Sequence, residues 1–412
     1  MKSEWKAIFL KDIIEFNPRE SLKKGSKAKK IPMEALSPFQ RKIEFIKNEN
    51  FTGGVKFRNG DTLMARITPS LENGKTAFVD ILNKDEVAFG STEFFVLRAK
   101  KDEILPKYLY YLSISNDLRN RAIKSMTGTS GRQRAQKESI LDYEIFLPRL
   151  DIQKKIVDIL DSLDSKIELN NQMIATLEEL AAVLFKRWFV DFEFPDEKGN
   201  PYKSSGGKMG DSELGEIPEG WKVKSLTQIA IYKNGLAMQK FRPTDMDNSL
   251  PVLKIKELNQ GFVDSSSDRC SIDIKDDVKV FNGDVIFSWS GTLLVKLWTG
   301  GNAGLNQHLF KVTSDQYEKW FYFLWTKQYL NQFVEIAKDK ATTMGHIKRE
   351  NLNNSKVCYP TTDELWKMFS GTFSGLIDKL IELGLENNSL KRTRDSLLPK
   401  LLLGELSLKK DD

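Results

Sequence analysis

Apolar residues recur from 156 to 188 in alternating steps of four and three: Ile156, Leu160, Leu163, Ile167, Ile174, Leu177, Ala181, Leu184 and Trp188, with Asn170 inside the series. The same alternation runs through Phe369, Phe373, Leu376, Leu380, Leu383, Asn387, Leu390, Arg394, Leu397 and Leu401. A sustained 4-3 alternation is the seam of a coiled coil, so the pattern predicts two long helices. The first seam would run ~50 Å at ~1.5 Å per residue. Asn170 lies just before the middle of its seam and Asn387 just after the middle of the other. An antiparallel alignment therefore sets them opposite each other, and we expect each to satisfy the other's amide and to fix register. The alternative is that both are solvated at the seam edges. Gly375, Gly384 and Pro399 weaken the second helix and blur its ends.

Ahead of each seam the chain reads the same way. Trp5, Leu10 and Ile13 correspond to Trp221, Leu226 and Ile229, and Asn59-Gly60-Asp61 returns as Asn282-Gly283-Asp284. Leu147-Pro148 matches Tyr359-Pro360, and Leu184-Phe185-Lys186 matches Leu398-Pro399-Lys400. Their common order and near-constant offset indicate a duplicated unit of about 210–220 residues. Each copy opens with short β-like runs and turns (FRNGDTLMARIT; FNGDVIFSWSGT) and continues into a helical stretch (KYLYYLSISNDLRNRAI; WFYFLWTKQYLNQFVEIA). A proline stop and the long helix follow. We divide the chain into a domain at 1–150, a helix at 151–190, a linker at 191–220, a second domain at 221–360 and a second helix at 361–408. The expected class is α/β (α+β): two globular domains separated by two antiparallel coiled-coil helices, with a pseudo-two-fold repeat. The acidic, Gly/Ser/Pro-rich 191–220 reads as a connecting linker.

Composition narrows the function. The 412 residues carry 63 Lys plus Arg against 57 Asp plus Glu, a net +6, which permits a polyanionic partner. The excess is concentrated in the two domains, +9 over 1–150 and +5 over 221–360, whereas 191–220 carries −5. No apolar run approaches a membrane span, and charges through the first sixteen residues argue against a secretory signal; a soluble, cytoplasmic protein is expected. Two cysteines and two histidines exclude a disulfide framework and a multi-histidine metal site. There is no Gly-x4-Gly-Lys-Ser/Thr phosphate loop, no Pro-Pro dipeptide, no Gly-x-Ser-x-Gly and no His-Glu-x-x-His. We expect no catalytic site and no metal.

Three stretches resemble the specificity subunits of Type I restriction–modification systems. They are PRLDIQKKIVDILDSLDSKIELNNQ (148–172), FKRWFVDFEFP (185–195) with PYKSSGGKMGDSELGEIPEGW (201–221), and LLPKLLLGEL (397–406). NGDTLMARITPSLENGKTA (59–77) and GSTEFFVLRA (90–99) resemble parts of that family's target-recognition domains. The second copy departs, with SWSGTLLVKLW in place of ARITPSLENGK and no counterpart of Gln-Lys-Lys at its helix start. The resemblance implies a non-catalytic reader of an asymmetric, bipartite DNA target, one half per domain, with helix length setting the spacer. It also implies docking of two modification subunits, which bring S-adenosylmethionine and methylate adenine. Two restriction subunits with ATP and Mg2+ join them. A coiled-coil scaffold that reads no DNA is the competing reading.

A reader of this kind needs phosphate contacts for register and base contacts for sequence. Candidate phosphate contacts in the first domain are Lys23, Lys24, Lys27, Lys29 and Lys30; the alternative for this run is a solvated loop. Candidate base readers are Arg66, Thr68 and Ser70, and Thr129, Ser130, Arg132, Gln133 and Arg134, since Arg takes guanine and Gln takes adenine bidentately. In the second domain Ser288, Ser290, Thr292, Asn306, Gln307 and His308 are analogous, as are Thr342, Thr343, His346 and Lys348. Lys240, Arg242, Lys254 and Lys256 are its phosphate candidates. For each, a role in turn formation is the alternative. The tryptophans of the second domain, Trp289 among them, read as core.

Overall fold

The computed structural model describes residues 5–264, 266–339 and 345–406. The chain divides into two units, residues 1–168 with 390–412, and residues 169–389.

The first unit is built on two four-stranded sheets. One is antiparallel, in the order Ile14–Phe16, Phe94–Ala99, Thr62–Ala65, Thr76–Phe78; the other runs Lys47–Asn50, Lys27–Ile31, Ala88–Gly90, Val55–Phe57. The strand Phe94–Ala99 shows why the first sheet is covered on both faces. Phe94 and Val96 join Ile31, Phe57 and Leu63 in a core with the second sheet, while Phe95 and Leu97 join Met64, Tyr108 and Leu109 in a core with the helices. Alternation along a strand sends successive side chains to opposite faces, and here both sets are apolar. Helix Pro106–Ile114 starts with proline at its first turn, and Ser115 caps helix Asn116–Lys124 by accepting from Leu118 N. The strand Lys6–Phe9 pairs with Glu144–Leu147, closing the domain on a two-stranded ribbon.

The second unit repeats this plan strand for strand. Its sheets run Ile231–Asn234, Leu309–Thr313, Val285–Ser288, Leu294–Leu297 and Arg269–Ser271, Ser249–Leu253, Ala303–Leu305, Lys279–Val280. Its closing ribbon is Lys222–Ser225 with Lys356–Tyr359. The expected duplication is therefore a duplication of topology. The segment 191–220, read as a linker, is folded: Met209–Ser212 and Gly215–Pro218 form a hairpin. Phe194 stacks between Tyr202 and Trp221 at 4.6 and 5.3 Å. Three aromatics hidden among acidic and small residues are enough to fasten it.

Two helices of forty residues, Leu150–Phe189 and Asp363–Leu402, carry the predicted seams. Pro399 lies inside the second helix without ending it. Gly384 is required by packing, because a Cβ there would stand 2.8 Å from Thr299. The asparagines do not bond to each other as expected. Asn170 Nδ2 donates to Glu386 at 2.8 Å, and Asn387 Nδ2 donates to Asn171 at 2.8 Å. A carboxylate is a stronger acceptor than an amide, which accounts for Glu386 taking the Asn170 donor; Asn171 offers Asn387 an amide oxygen of the kind expected, one position along. Both Oδ1 atoms are buried without a hydrogen-bond partner among the described residues.

The helices are rooted differently in the two units. In the first, the root is ionic. The Arg41 guanidinium spans Glu168, at 2.9 and 2.8 Å, and Asp161, which Lys107 also holds at 2.8 Å. Buried Asp164 accepts from Arg394 at 2.8 Å and from the Tyr111 hydroxyl at 2.9 Å. Burial works to lower the Arg41 guanidinium, but Glu168 and Asp161 raise it overall. In the second unit the root is aromatic: Phe189 lies 4.8 Å from Phe369, 5.5 Å from Trp221 and 5.8 Å from Trp320.

Lys391, in the first unit, gives a pH signature. Burial, and then the neighbouring charge of Arg394, bring its amine down from the usual 10.5 to about 8. Below about 8 the amine is charged in both folded and unfolded chains. Between about 8 and 10.5 only the unfolded chain holds the proton, so stability rises with pH across that window. Urea unfolding of the wild type at pH ~7.5 and ~9.5 should show a gain of ~1–2 kcal/mol, at ~1.4 kcal/mol per pH unit, and Lys391→Met should remove the difference.

Candidate nucleic-acid interface

In the first domain three chain segments meet at one end of the antiparallel sheet. Arg66 follows the strand Thr62–Ala65, Glu93 precedes Phe94–Ala99, and Arg134 ends the loop 127–134. Main-chain bonds stitch them together: Arg66 N to Glu93 O at 2.9 Å, Ala135 N to Arg66 O at 2.8 Å, and Thr68 N to Gln133 O at 3.0 Å. The loop is itself a hairpin, in which Thr127 and Arg134 exchange bonds of 3.1 and 2.9 Å. Arg132 N donates to Thr129 O at 2.9 Å across a turn with Gly131 at φ +76°, a value that selects glycine. Thr129, Ser130 and Arg132 are exposed at its tip. The Arg66 guanidinium lies 4.9 Å from the Phe95 ring. Arg134 donates to Glu93 from Nη2 at 2.7 Å and Nε at 3.0 Å, and that bond raises its guanidinium further.

The second domain has the same frame with other side chains. Trp289 N donates to His308 O at 3.3 Å, Ile347 N to Trp289 O at 3.1 Å, and Gly291 N to Gly345 O at 3.0 Å. Trp289 thus stands where the first domain has Arg66, His308 where it has Glu93, and His346 where it has Arg134. Phe310 takes the place of Phe95, with its ring 5.7 Å from Trp289. The Trp289 ring lies 6.1 Å from His308 and 6.4 Å from His346. Ser290 Oγ is 3.0 Å from His308 Nδ1, and Gln307 Nε2 is 3.3 Å from Nε2.

The remaining candidates divide into exposed residues and residues engaged in the fold. Lys23 and Lys24 occupy an exposed turn, and Lys240, Arg242, Gln307 and Lys348 are also exposed. The basic run is not a loop throughout. Its second half is the strand Lys27–Ile31, where Lys29 and Lys30 are paired with Glu86 and Glu49 at 2.8 Å each. Lys254 is likewise paired with Asp268, and Lys256 with Asp264 at 3.6 Å. Thr68 bonds through its main chain to Gln133, and Ser70 O accepts from Lys75 N at 3.1 Å in the turn that follows. Ser290 and Asn306, expected to face bases, are buried, with Asn306 Oδ1 accepting from His308 N at 3.3 Å. Thr342 and Thr343 lie outside the described residues. Glu93 was not legible as a site residue, being one carboxylate among 57. Its one signal is the Phe95–Phe310 correspondence, which sets it against His308.

Known proteins decide the family. The sequence profile of the Type I restriction modification DNA specificity domain matches residues 2–179 and again 218–383. The chain belongs to this family. It carries two such specificity domains, and its function is that of a Type I specificity subunit, which is non-catalytic. Among relatives, it is 29% identical to the MjaIX specificity subunit of Methanocaldococcus jannaschii, over 74% of this chain and 70% of the relative. It is 26% identical to the HindI specificity subunit of Haemophilus influenzae, over 85% and 87%. The crystal structure of the Type I S subunit from M. genitalium shares the fold, with a TM-score of 0.51 at 15% identity over 98% and 97% of the two chains. Among the described residues no helix is long and apolar enough to cross a membrane, and no cluster of His, Cys, Asp and Glu could hold a metal.

Proposed function

We propose that each specificity domain reads one half of an asymmetric, bipartite duplex target, and that the long helices dock two modification subunits. Those subunits bring S-adenosylmethionine and methylate the exocyclic amine of adenine within the target. Two restriction subunits, with ATP and Mg2+, add cleavage, and the assembly works in the cytoplasm. The observation that carries the reading is the pair of matched domains: one fold and one main-chain frame, holding Arg66, Glu93 and Arg134 in one copy and Trp289, His308 and His346 in the other. Two copies with the same side chains would read the same half-target twice. The positive charge of both domains supplies the sequence-independent part of binding.

The test is competition. The chain, assembled with its modification subunits, is mixed with a pool of random duplexes at rising salt. We expect two enriched half-sequences at fixed spacing, with affinity falling as salt rises. An assembly that forms but binds all duplexes equally would leave the scaffold reading in place.

Docking has its own surface. Leu169, Met173, Leu180 and Val183 are exposed along one face of the first long helix, Val183 at 58%. Spacings of four, seven and three make this a second heptad stripe beside the buried seam, interrupted at Thr176, and exposed apolar residues aligned in this way suit a docking partner. Leu180→Asp with Val183→Asp should abolish co-purification of the modification subunits while leaving unfolding within ~0.5 kcal/mol of wild type, as surface substitutions do.

A further inference from the structure

The two domains differ most informatively in what their common frame displays. In the first domain the display is an ion pair: Arg134, with 44% of its side chain exposed, bonded to Glu93, with 23%. It stands at the foot of the hairpin whose exposed tip carries Thr129, Ser130 and Arg132. We propose that positions 66, 93 and 134, with their counterparts 289, 308 and 346, form the specificity-determining cassette of each domain, and that the Arg134–Glu93 pair of the first selects a guanine–cytosine base pair. This deepens the DNA-reading proposal and rests on it.

The chemistry is an exchange of partners. In the free protein Arg134 donates from Nε and Nη2 to Glu93, whose carboxylate accepts both, while Nη1 faces Arg132 O at 3.4 Å. A backbone phosphate offers acceptors alone. It could draw Arg134 away only by leaving Glu93 without a donor and close to another anion. The major-groove edge of a guanine–cytosine pair offers both kinds of group: guanine O6 and N7 take the guanidinium, and the cytosine N4 amino group donates to a carboxylate. Both members of the pair are then satisfied again. Glu93 therefore holds Arg134 back from non-specific DNA and releases it where a base edge can replace both bonds.

The second cassette carries a different pair. Its two imidazoles replace one anion and one cation. His308 is aligned by Ser290 and Gln307, and a ring nitrogen suits a different base edge from a carboxylate. The layer beneath is kept in shape, a cation over Phe95 in one domain and an indole beside Phe310 in the other. The half-targets differ because the display differs over one main-chain frame.

Selection from a random duplex pool tests this, using the full chain assembled with its modification subunits. Glu93→Gln is nearly isosteric and removes the restraint; Arg134→Lys keeps the charge and removes the fork. With Glu93→Gln, retention of duplexes lacking the target should rise about tenfold. In both variants the preference for one guanine–cytosine pair in the first half-target should fall by roughly tenfold to hundredfold. The second half-target should be untouched. His308→Gln should do the reverse, altering the second half-target alone. First-half preferences equal to wild type in both Glu93→Gln and Arg134→Lys would overturn the proposal, as would changes that appear only in the second half. A wild-type assembly that enriches no sequence overturns the DNA-reading proposal instead.

Discussion

Asp164→Ala is expected to destabilise the first unit by about 3–5 kcal/mol, the cost of removing one member of a buried ion pair. Asp164 and Arg394 are both buried, and the same carboxylate takes the Tyr111 hydroxyl. Removing it leaves the guanidinium with only the exposed Asp395, at 2.9 Å, and takes the acceptor from the phenol. The companion variant separates this from simple cavity formation. Asp164→Leu combined with Arg394→Met removes both charges, and should recover most of the loss, because an apolar pair of similar volume is often as stable as a buried salt bridge. Urea unfolding followed by circular dichroism measures both. A double variant as unstable as Asp164→Ala would mean that shape, and not charge, holds this root together.

The second large effect belongs to the other root. Phe189→Ala should cost about 3–5 kcal/mol in the second unit. The ring touches aromatics on four sides: Phe185 at 4.7 Å, Phe369 at 4.8 Å, and Trp221 and Trp320 at 5.5 and 5.8 Å. Because Trp221, Trp320 and Trp325 surround the position, the loss should appear as a red shift of tryptophan emission at temperatures where the wild type is still folded. The effect should be independent of salt, since apolar packing has no charge to screen. By contrast Arg41→Gln, in the first unit, should lose part of its cost as salt rises.

Much of this architecture was legible in the chain. The 4-3 alternation located both long helices because a buried seam constrains every third or fourth residue. Weak correspondences such as Trp5 with Trp221 exposed the repeat, because a duplicated fold must keep its turns and core positions in order. The register bond was not legible in detail. Periodicity set Asn170 and Asn387 in their seams, but it could not say that Glu386 and Asn171, beside them, would take the amide protons. The hairpin at 209–218 was missed because its few apolar residues, Met209, Leu214 and Ile217, show no strand alternation; the aromatics that fasten it, Phe194, Tyr202 and Trp221, lie around it in sequence. The site followed the same division. Arg134 and the tip residues stand out as candidates by residue type and flexible surroundings. Glu93 was not, because a carboxylate gains meaning only through what it faces. Lys29, Lys30 and Lys254 counted as positive charge in the sequence, yet each meets a carboxylate in the fold. Composition counts charges and does not show which of them the fold has paired.

Each domain begins and ends on one two-stranded ribbon, Lys6–Phe9 with Glu144–Leu147 and Lys222–Ser225 with Lys356–Tyr359. The chain therefore enters and leaves each domain through adjacent strands, a few ångströms apart at ~5 Å strand spacing. A body with neighbouring ends can be cut out and replaced without stretching what remains. A foreign domain that supplies the same two strands would plug into this socket and bring its own half-target with it. In that sense the ribbon is a connector, and new specificities could arise here by exchange of whole modules as readily as by substitution within one.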